Sequence, residues 1–240
     1  INVLTDPIWS ERSSPFRWIG PKRVRPPGIR FEDLPPIDLV VVSHDHYDHC
    51  DLPTLKRLAD TFRPQFLVPL NIAPLLRDAG IHAVQERDWW QSITYAQGKR
   101  AWVVPAQHFA ARGPFDRDER LWGGFVFETS GGPVYFAGDT AMSDHFAQIH
   151  TRFGPMRLAV LPIGAYEPRW FMEPVHVDPQ EALAAHHTLH ARHSVGMHFG
   201  TFHLADEGET AAQDAIRRAN EPTFWVLAFG EGRVVPPLAQ

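Results

Sequence analysis

The segment Ser43-His44-Asp45-His46-Tyr47-Asp48-His49 follows directly on the run Ile37-Asp38-Leu39-Val40-Val41-Val42. The run is apolar and β-branched and is preceded by Pro35-Pro36, so it reads as a buried strand that ends in a loop. Residues i and i+2 of a strand point to the same side, so His44 and His46 at its end can present two imidazoles to one ion. Asp48 and His49 follow once the chain has turned. Zinc takes neutral imidazole nitrogen at roughly 2.0–2.1 Å together with carboxylate oxygen, and a catalytic zinc keeps one position for water. So dense a set of such groups at a strand end marks metal chemistry, against the alternative of a polar loop that holds no ion.

Single ligand-type residues recur beyond other expected strands. His108 follows Val103-Val104-Pro105, Asp139 follows Tyr135-Phe136-Ala137-Gly138, and His198 follows Val195-Gly196-Met197. Gly138 allows the sharp turn that would bring the Asp139 carboxylate inward. Further strands are expected at Gln65 to Val68, Ala101 to Pro105 and Leu158 to Pro162, with Gly124 to Glu128 and Val134 to Ala137 forming a hairpin across Gly131-Gly132. The last strands fall at Ser194 to His198 and Phe224 to Phe229. Helices are expected at Leu52 to Phe62, from Asp144 to Arg152 closed by Gly154, and from Pro179 to about Leu189. Strands and helices alternate in both halves, which predicts an α/β protein with helices covering sheet, organised as one domain over residues 1–240.

Other features narrow the function classes. No apolar run approaches the roughly 18 to 20 residues that cross a bilayer. The net charge of −5 gives no broad attraction to nucleic acid. A single cysteine, Cys50, excludes an intrachain disulfide and fits a reducing, cytoplasmic location. The chain opens at Ile1-Asn2-Val3 with no signal-like leader and no initiating Met, so its natural start can lie upstream. One basic stretch departs from the overall charge: Arg12, Arg17, Lys22, Arg23, Arg25 and Arg30 have no acid among them and are interleaved with Phe16, Trp18 and Ile19. It reads either as a solvated Pro-rich loop or as a peripheral contact with an anionic membrane.

The pattern His-x-His-x-Asp-His with a distant His, Asp and His resembles the metallo-β-lactamase superfamily. Leu4-Thr5-Asp6-Pro7, Gly20-Pro21-Lys22-Arg23, Pro105-Ala106-Gln107-His108, Phe136-Ala137-Gly138-Asp139-Thr140, the string Pro162 to Met172 and His176-Val177-Asp178-Pro179 look like the N-acyl-phosphatidylethanolamine-hydrolysing phospholipase D family and its bacterial relatives. The resemblance runs from Leu4 to about Gly232. It implies an αββα sandwich of two sheets flanked by helices, and one or two further strands, ending in Gly-His, before the position where this chain starts. It implies two zinc ions, or other divalent transition metals: His44, His46 and His108 on one, Asp48, His49 and His198 on the other, Asp139 between them. It places His176 at the mouth of the site as a substrate-contacting or proton-transferring residue, with Asp48 orienting the attacking group. Tyr166, Trp170 and Phe109 are the expected substrate contacts, although Phe109 and His203 depart from the family pattern. The expected reaction is hydrolysis of a lipid phosphodiester. The alternatives are ring opening of a lactone or β-lactam by the same centre, or a metal-binding protein without turnover, against which the complete ligand set speaks.

Two further groups have local explanations. Asp178 before Pro179, with Glu181 three residues on, reads as a capping box. His186, His187, His190 and His193 read as a solvated helix face, although His186 and His190 have the i, i+4 spacing of a metal pair.

Overall fold

A computed structural model describes residues 1–238. The chain runs β1 (Val3–Thr5), β2 (Leu39–Val41), α1 (Leu52–Phe62), β3 (Gln65–Pro69), α2 (Ala73–Asp78), β4 (Val84–Arg87), β5 (Ser92–Ala96), β6 (Lys99–Val104), β7 (Gly124–Phe127) and β8 (Val134–Phe136). It continues through α3 (His145–Phe153), β9 (Leu158–Pro162), α4 (Arg169–Met172), α5 (Pro179–Thr188), β10 (Ser194–Met197), α6 (Ala211–Ala219) and β11 (Phe224–Trp225). The first sheet has the order β1-β2-β3-β4 and is parallel throughout. The second has the order β11-β10-β9-β8-β7-β6-β5, antiparallel from β5 to β8 and parallel from β8 to β11.

Strand periodicity builds the layers. Leu39, Val41 and Leu67 face the second sheet and pack with Val103, Phe125, Phe127 and Phe136. Their neighbours Val40, Val42, Phe66 and Val68 face the opposite way, onto Leu55 and Leu58 of α1 and Leu76 of α2. Successive side chains of a strand leave on opposite faces, so one β-branched run feeds two cores, as a parallel strand covered on both sides must. Beyond the second sheet, Val126, Tyr135, Ala159 and Leu161 pack with Phe146 and Ile149 of α3, Ala182 and Leu183 of α5 and Ile216 of α6. The result is the four-layer αββα sandwich.

Several expectations need correction at their ends. The final strand covers only Phe224 and Trp225, because the chain folds back in a turn in which Glu231 N–H bonds Ala228 O and the Glu231 carboxylate accepts Ala228 N–H. His186 is not on a solvated face. It is 4% exposed, with Nδ1 2.8 Å from Ser194 Oγ and Nε2 3.2 Å from Thr223 Oγ1. The face of α5 through Ala182, Ala185 and His186 is the one packed inward, so the imidazole is held between β10 and the approach to β11. His187 and His190 are exposed and His193 is half-buried. The capping box forms: Asp178 accepts from Glu181 N at 2.8 Å, and Glu181 accepts from Asp178 N at 2.9 Å. The basic stretch is divided. Arg23 donates to Ser10 O and Ile8 O, Arg25 lies 4.3 Å from the Phe229 ring centroid, and Arg30 pairs with Asp33. No helix among the described residues is long and apolar enough to cross a membrane.

Candidate metal centre

The site lies at the C-terminal ends of strands from both sheets. The loop after β2 carries His44, His46, Asp48 and His49, and the loops after β6, β8 and β10 carry His108, Asp139 and His198. The histidines thus lie just beyond the strand rather than within it, since β2 ends at Val41. Two loops from different sheets meet closely at Gly138, whose φ is +62° and where a Cβ would stand 2.6 Å from Ser43 Cβ. Only glycine accommodates both the left-handed backbone and that approach.

The seven residues gather in two groups, His44-His46-His108 and Asp48-His49-Asp139-His198, with ligand atoms in each group within 4.8 Å of one another. Asp139 Oδ2 lies 3.2 Å from His49 Nε2, 3.3 Å from His198 Nε2 and 3.9 Å from His108 Nε2, so it stands between the groups. Asp48 Oδ2 is 3.3 Å from both His49 Nε2 and His198 Nε2. His176, 8% exposed, reaches Asp139 Oδ2 with Nε2 at 3.9 Å.

Outer partners fix which ring nitrogens face inward. His108 Nδ1 donates to Val175 O at 2.9 Å. His49 Nδ1 meets Asp6 Oδ2 at 2.6 Å. Ser43 Oγ gives its single proton to Asp6 Oδ2 at 2.5 Å, so it accepts from His44 Nδ1 at 2.9 Å. In the neutral form, with tautomers assigned from the partners, each of the three rings turns an Nε2 lone pair into the site, His49 once it has given up the proton that its acidic neighbours favour. There His46 Nδ1 lies 2.8 Å from His44 Nε2 and 3.3 Å from His108 Nε2, and His49 Nε2 lies 3.1 Å from His198 Nε2. One proton on His46 cannot serve both neighbours. A cation at each convergence suits the donors, and neutral nitrogen with carboxylate oxygen is the set that zinc prefers. Asp139 Oδ1 is buried without a partner among the described residues, a further free acceptor within the site.

Electrostatics separates the two groups. Burial, reinforced for His44 by the neighbouring histidines, pushes His44 well down and His46 and His108 down to about 4, so these rings are neutral at pH 7. Burial opposes charge on His49 too, but Asp139, Asp48 and Asp6 outweigh it and raise its pKa. His198 is raised in the same way by Asp139 and Asp48 despite its burial. Asp48 and Asp139 stay ionised although buried, held well below the usual carboxylate range by the surrounding histidines. Burial takes His176 down to about 4.

Two residues here escape sequence reasoning about ligands. Asp6, left-handed at φ +42°, ends β1 beside β2 and also accepts Ser43 N at 2.7 Å. The signal was a short apolar run closed by an acid, Val3-Leu4-Thr5-Asp6, as at the other strand ends. Thr140 is fully buried, its Oγ1 accepting Gln107 N at 2.9 Å and its carbonyl accepting Val177 N at 2.8 Å. It therefore ties the Asp139 loop to the residues adjoining His108 and His176. The expected substrate residues are placed differently. Phe109 packs on His46 and His108 at 4.6 and 4.9 Å between ring centroids, Tyr166 packs half-buried against the helix-side core, and Trp170 is 81% exposed with Phe171 as its ring partner. None of the three lines the cavity of about 260 Å³ that reaches Asp48, His49 and His198.

Residues 1–199 match the β-lactamase superfamily domain. The chain is 42% identical over 213 residues to N-acyl-phosphatidylethanolamine-hydrolyzing phospholipase D 1 of Caenorhabditis elegans, covering 84% of this chain and 60% of that protein. It is 34% identical over 213 residues to the mitochondrial N-acyl-phosphatidylethanolamine-hydrolyzing phospholipase D of Saccharomyces cerevisiae, covering 86% and 45%. The chain thus spans roughly half to three-fifths of the length of these relatives. Among solved structures, a metallo hydrolase from the archaeon Ignicoccus hospitalis superposes with a TM-score of 0.66 at 23% identity, covering 84% of this chain and 82% of the other.

Proposed function

This chain belongs to the β-lactamase superfamily, and from that premise we propose that it is a dinuclear zinc hydrolase of phospholipase D type, acting on N-acyl-phosphatidylethanolamine-like lipid phosphodiesters. The observation that carries the metal chemistry is the convergence of inward lone pairs and two buried carboxylates in two groups about Asp139. The phosphodiester reading is supported by the similarity to two relatives whose names carry that activity.

His44, His46 and His108 would hold one divalent ion, and Asp48, His49 and His198 the other, with Asp139 common to both. When bound, such ions supply Lewis acidity and lower the pKa of a water. The remaining work falls to the chain. Asp48 and Asp139 offer ionised oxygens that orient a proton-bearing nucleophile. Asp6 and the Val175 carbonyl hold His49 and His108 in one tautomer. His176 is neutral at pH 7, so it delivers a proton to a departing alkoxide only after taking one up, which fits transfer from the attacking water. Phe16, Trp18 and Ile19, 54%, 75% and 52% exposed, with Arg17 and Lys22 beside them, support peripheral contact with an anionic membrane surface.

The test is elemental analysis of the purified protein, then a hydrolysis panel with a soluble phosphodiester, an N-acyl phospholipid, a lactone and a β-lactam. About two metal equivalents and preference for the phospholipid are expected. A lactone or β-lactam turned over far faster than either phosphodiester would replace the substrate assignment with ring opening.

A further inference from the structure

A cavity of about 560 Å³ opens between the Ser10–Arg17 segment and the loop after β2. Ser10, Arg12, Phe16, Arg17, Tyr47 and Arg112 line it, and Tyr47 stands between His46 and Asp48 in the chain. Arg112 secures that shared wall. Its Nη1 donates to Asp45 O at 2.6 Å and Cys50 O at 2.9 Å, its guanidinium lies 4.0 Å from the Tyr47 ring centroid, and Tyr47 OH donates to Arg112 O at 2.9 Å.

The charge here is unbalanced. None of Arg12, Arg17 and Arg112 forms an ion pair among the described residues. Arg12 uses only Nη1, on Gly20 O, and Arg17 makes no side-chain hydrogen bond among them. Two acids also line the cavity, Glu11 and Asp51, so its three arginines leave one positive charge in excess, and the Asp51 oxygens are turned to Ser10 N, Ser10 Oγ and Thr54 Oγ1. The other arginines of the basic stretch are tied elsewhere, Arg23 to carbonyls and Arg30 to Asp33. Unengaged guanidinium forks match phosphate oxygens bidentately.

We propose that this cavity is an oxyanion subsite, separate from the metal ligands, that binds a phosphomonoester. Naming that ligand rests on the phosphodiesterase reading. Hydrolysis forms a bond from the water oxygen to phosphorus, breaks the phosphorus–alkoxide bond and moves a proton to the alkoxide. A singly charged diester thereby becomes a monoester carrying about −1.5 to −2 at neutral pH. A cavity with surplus positive charge favours the second species, so it retains product and makes the protein sensitive to phosphomonoesters.

The experiment measures glycerol 3-phosphate binding to the metal-loaded full chain by calorimetry at fixed ionic strength, for the parent protein and for Arg17→Gln, Arg12→Gln/Arg17→Gln and Asp139→Asn. Arg112 is left intact because it holds the ligand loop, and Arg17, being exposed, tolerates substitution without loss of folding. Binding should weaken by about tenfold or more in the double variant, and partly in Arg17→Gln, while persisting in Asp139→Asn. Phosphatidylcholine vesicles with and without phosphatidic acid supply the lipid arm: the same arginine dependence there assigns the lipid-borne headgroup as well as the free ester. No binding of glycerol 3-phosphate at millimolar concentration, equal binding by parent and arginine variants, or loss confined to Asp139→Asn would each overturn the subsite. A protein that prefers lactones yet binds glycerol 3-phosphate through these arginines would refute the phosphodiesterase reading and leave the subsite standing.

Discussion

Replacing Asp6 by Asn probes how far the ligands depend on what lies behind them. Asp6 Oδ1 accepts Ser43 N–H, while Oδ2 accepts both Ser43 O–H and His49 Nδ1–H, so this one buried carboxylate sets the tautomer of His49 and, through Ser43, that of His44. The left-handed backbone at Asp6 is one that Asn also adopts readily, so the substitution leaves the main chain undisturbed. Its amide presents one acceptor oxygen and one NH2 group to three donors. Either Ser43 N–H loses its partner, or the amide donates to His49 Nδ1 and moves the ring proton to Nε2, where the inward lone pair belongs. Removing an outer-shell partner of a metal ligand costs about 10–100-fold in affinity or activity, or about 1.4–2.7 kcal/mol. Zinc affinity, measured by competition with a chromophoric chelator, should fall by that factor, and hydrolysis at limiting metal should fall with it. His190→Ala, on the exposed side of the second sheet's helices, serves as the control and should stay within roughly twofold of the parent. Zinc affinity in Asp6→Asn equal to that of the control would refute the argument that tautomer control comes from Asp6.

Other outcomes follow from the same geometry. Thr140→Val should lower kcat/KM by about 10–100-fold and Thr140→Ser should restore most of it, because only the hydroxyl accepts Gln107 N–H; equal kinetics in the two variants would show that the bond is dispensable. Metal uptake should divide with pH, since His49 and His198 have raised pKa values and must release protons to a cation, whereas His44, His46 and His108 are already neutral. Titration at pH 6 should weaken one of the two equivalents far more than the other, and uniform weakening would contradict the division. The metal-free protein should lose thermal stability as pH falls from about 6.5 towards 4, read as melting temperature. Over that window the unfolded chain protonates histidines that the folded chain keeps neutral, His46, His108, His145 and His176 being held down to about 4, so acid favours unfolding.

Sequence patterning located the residues that converge in the candidate centre because they follow short apolar strands, and a parallel strand buried on both faces leaves an unmistakable run such as Leu39 to Val42. What it missed had weaker physical signals. β5 and the start of β6, from Ser92 to Arg100, mix polar and apolar residues at a sheet edge, where one face is wet. α6 is short, carries charge at Asp214, Arg217 and Arg218 and buries only Ala212, Gln213 and Ile216. His186 looked solvated because histidine is polar, but hydroxyls from Ser194 and Thr223, distant in sequence, satisfy both its nitrogens. The arginines of the Arg12 to Arg30 stretch are alike in sequence, and only the fold distinguishes Arg23, bonded to carbonyls, from Arg17, which faces a cavity.

The close contact at Gly138 has a mechanical consequence. Candidate ligands from the β2 loop belong to one sheet and those after β6, β8 and β10 to the other, so the candidate centre is assembled across the seam on which the sandwich closes. Any fluctuation that slides one sheet on its neighbour pulls the two ligand sets apart. A cation bound there would act as a rivet through both plates, adding RT ln(1 + [metal]/Kd) to the work of separating them. Amide exchange in Leu39, Val41 and Phe136 at the seam should therefore slow with metal more than exchange in the outward helices. The molecule's resistance to shear and its capacity for chemistry are set by one joint.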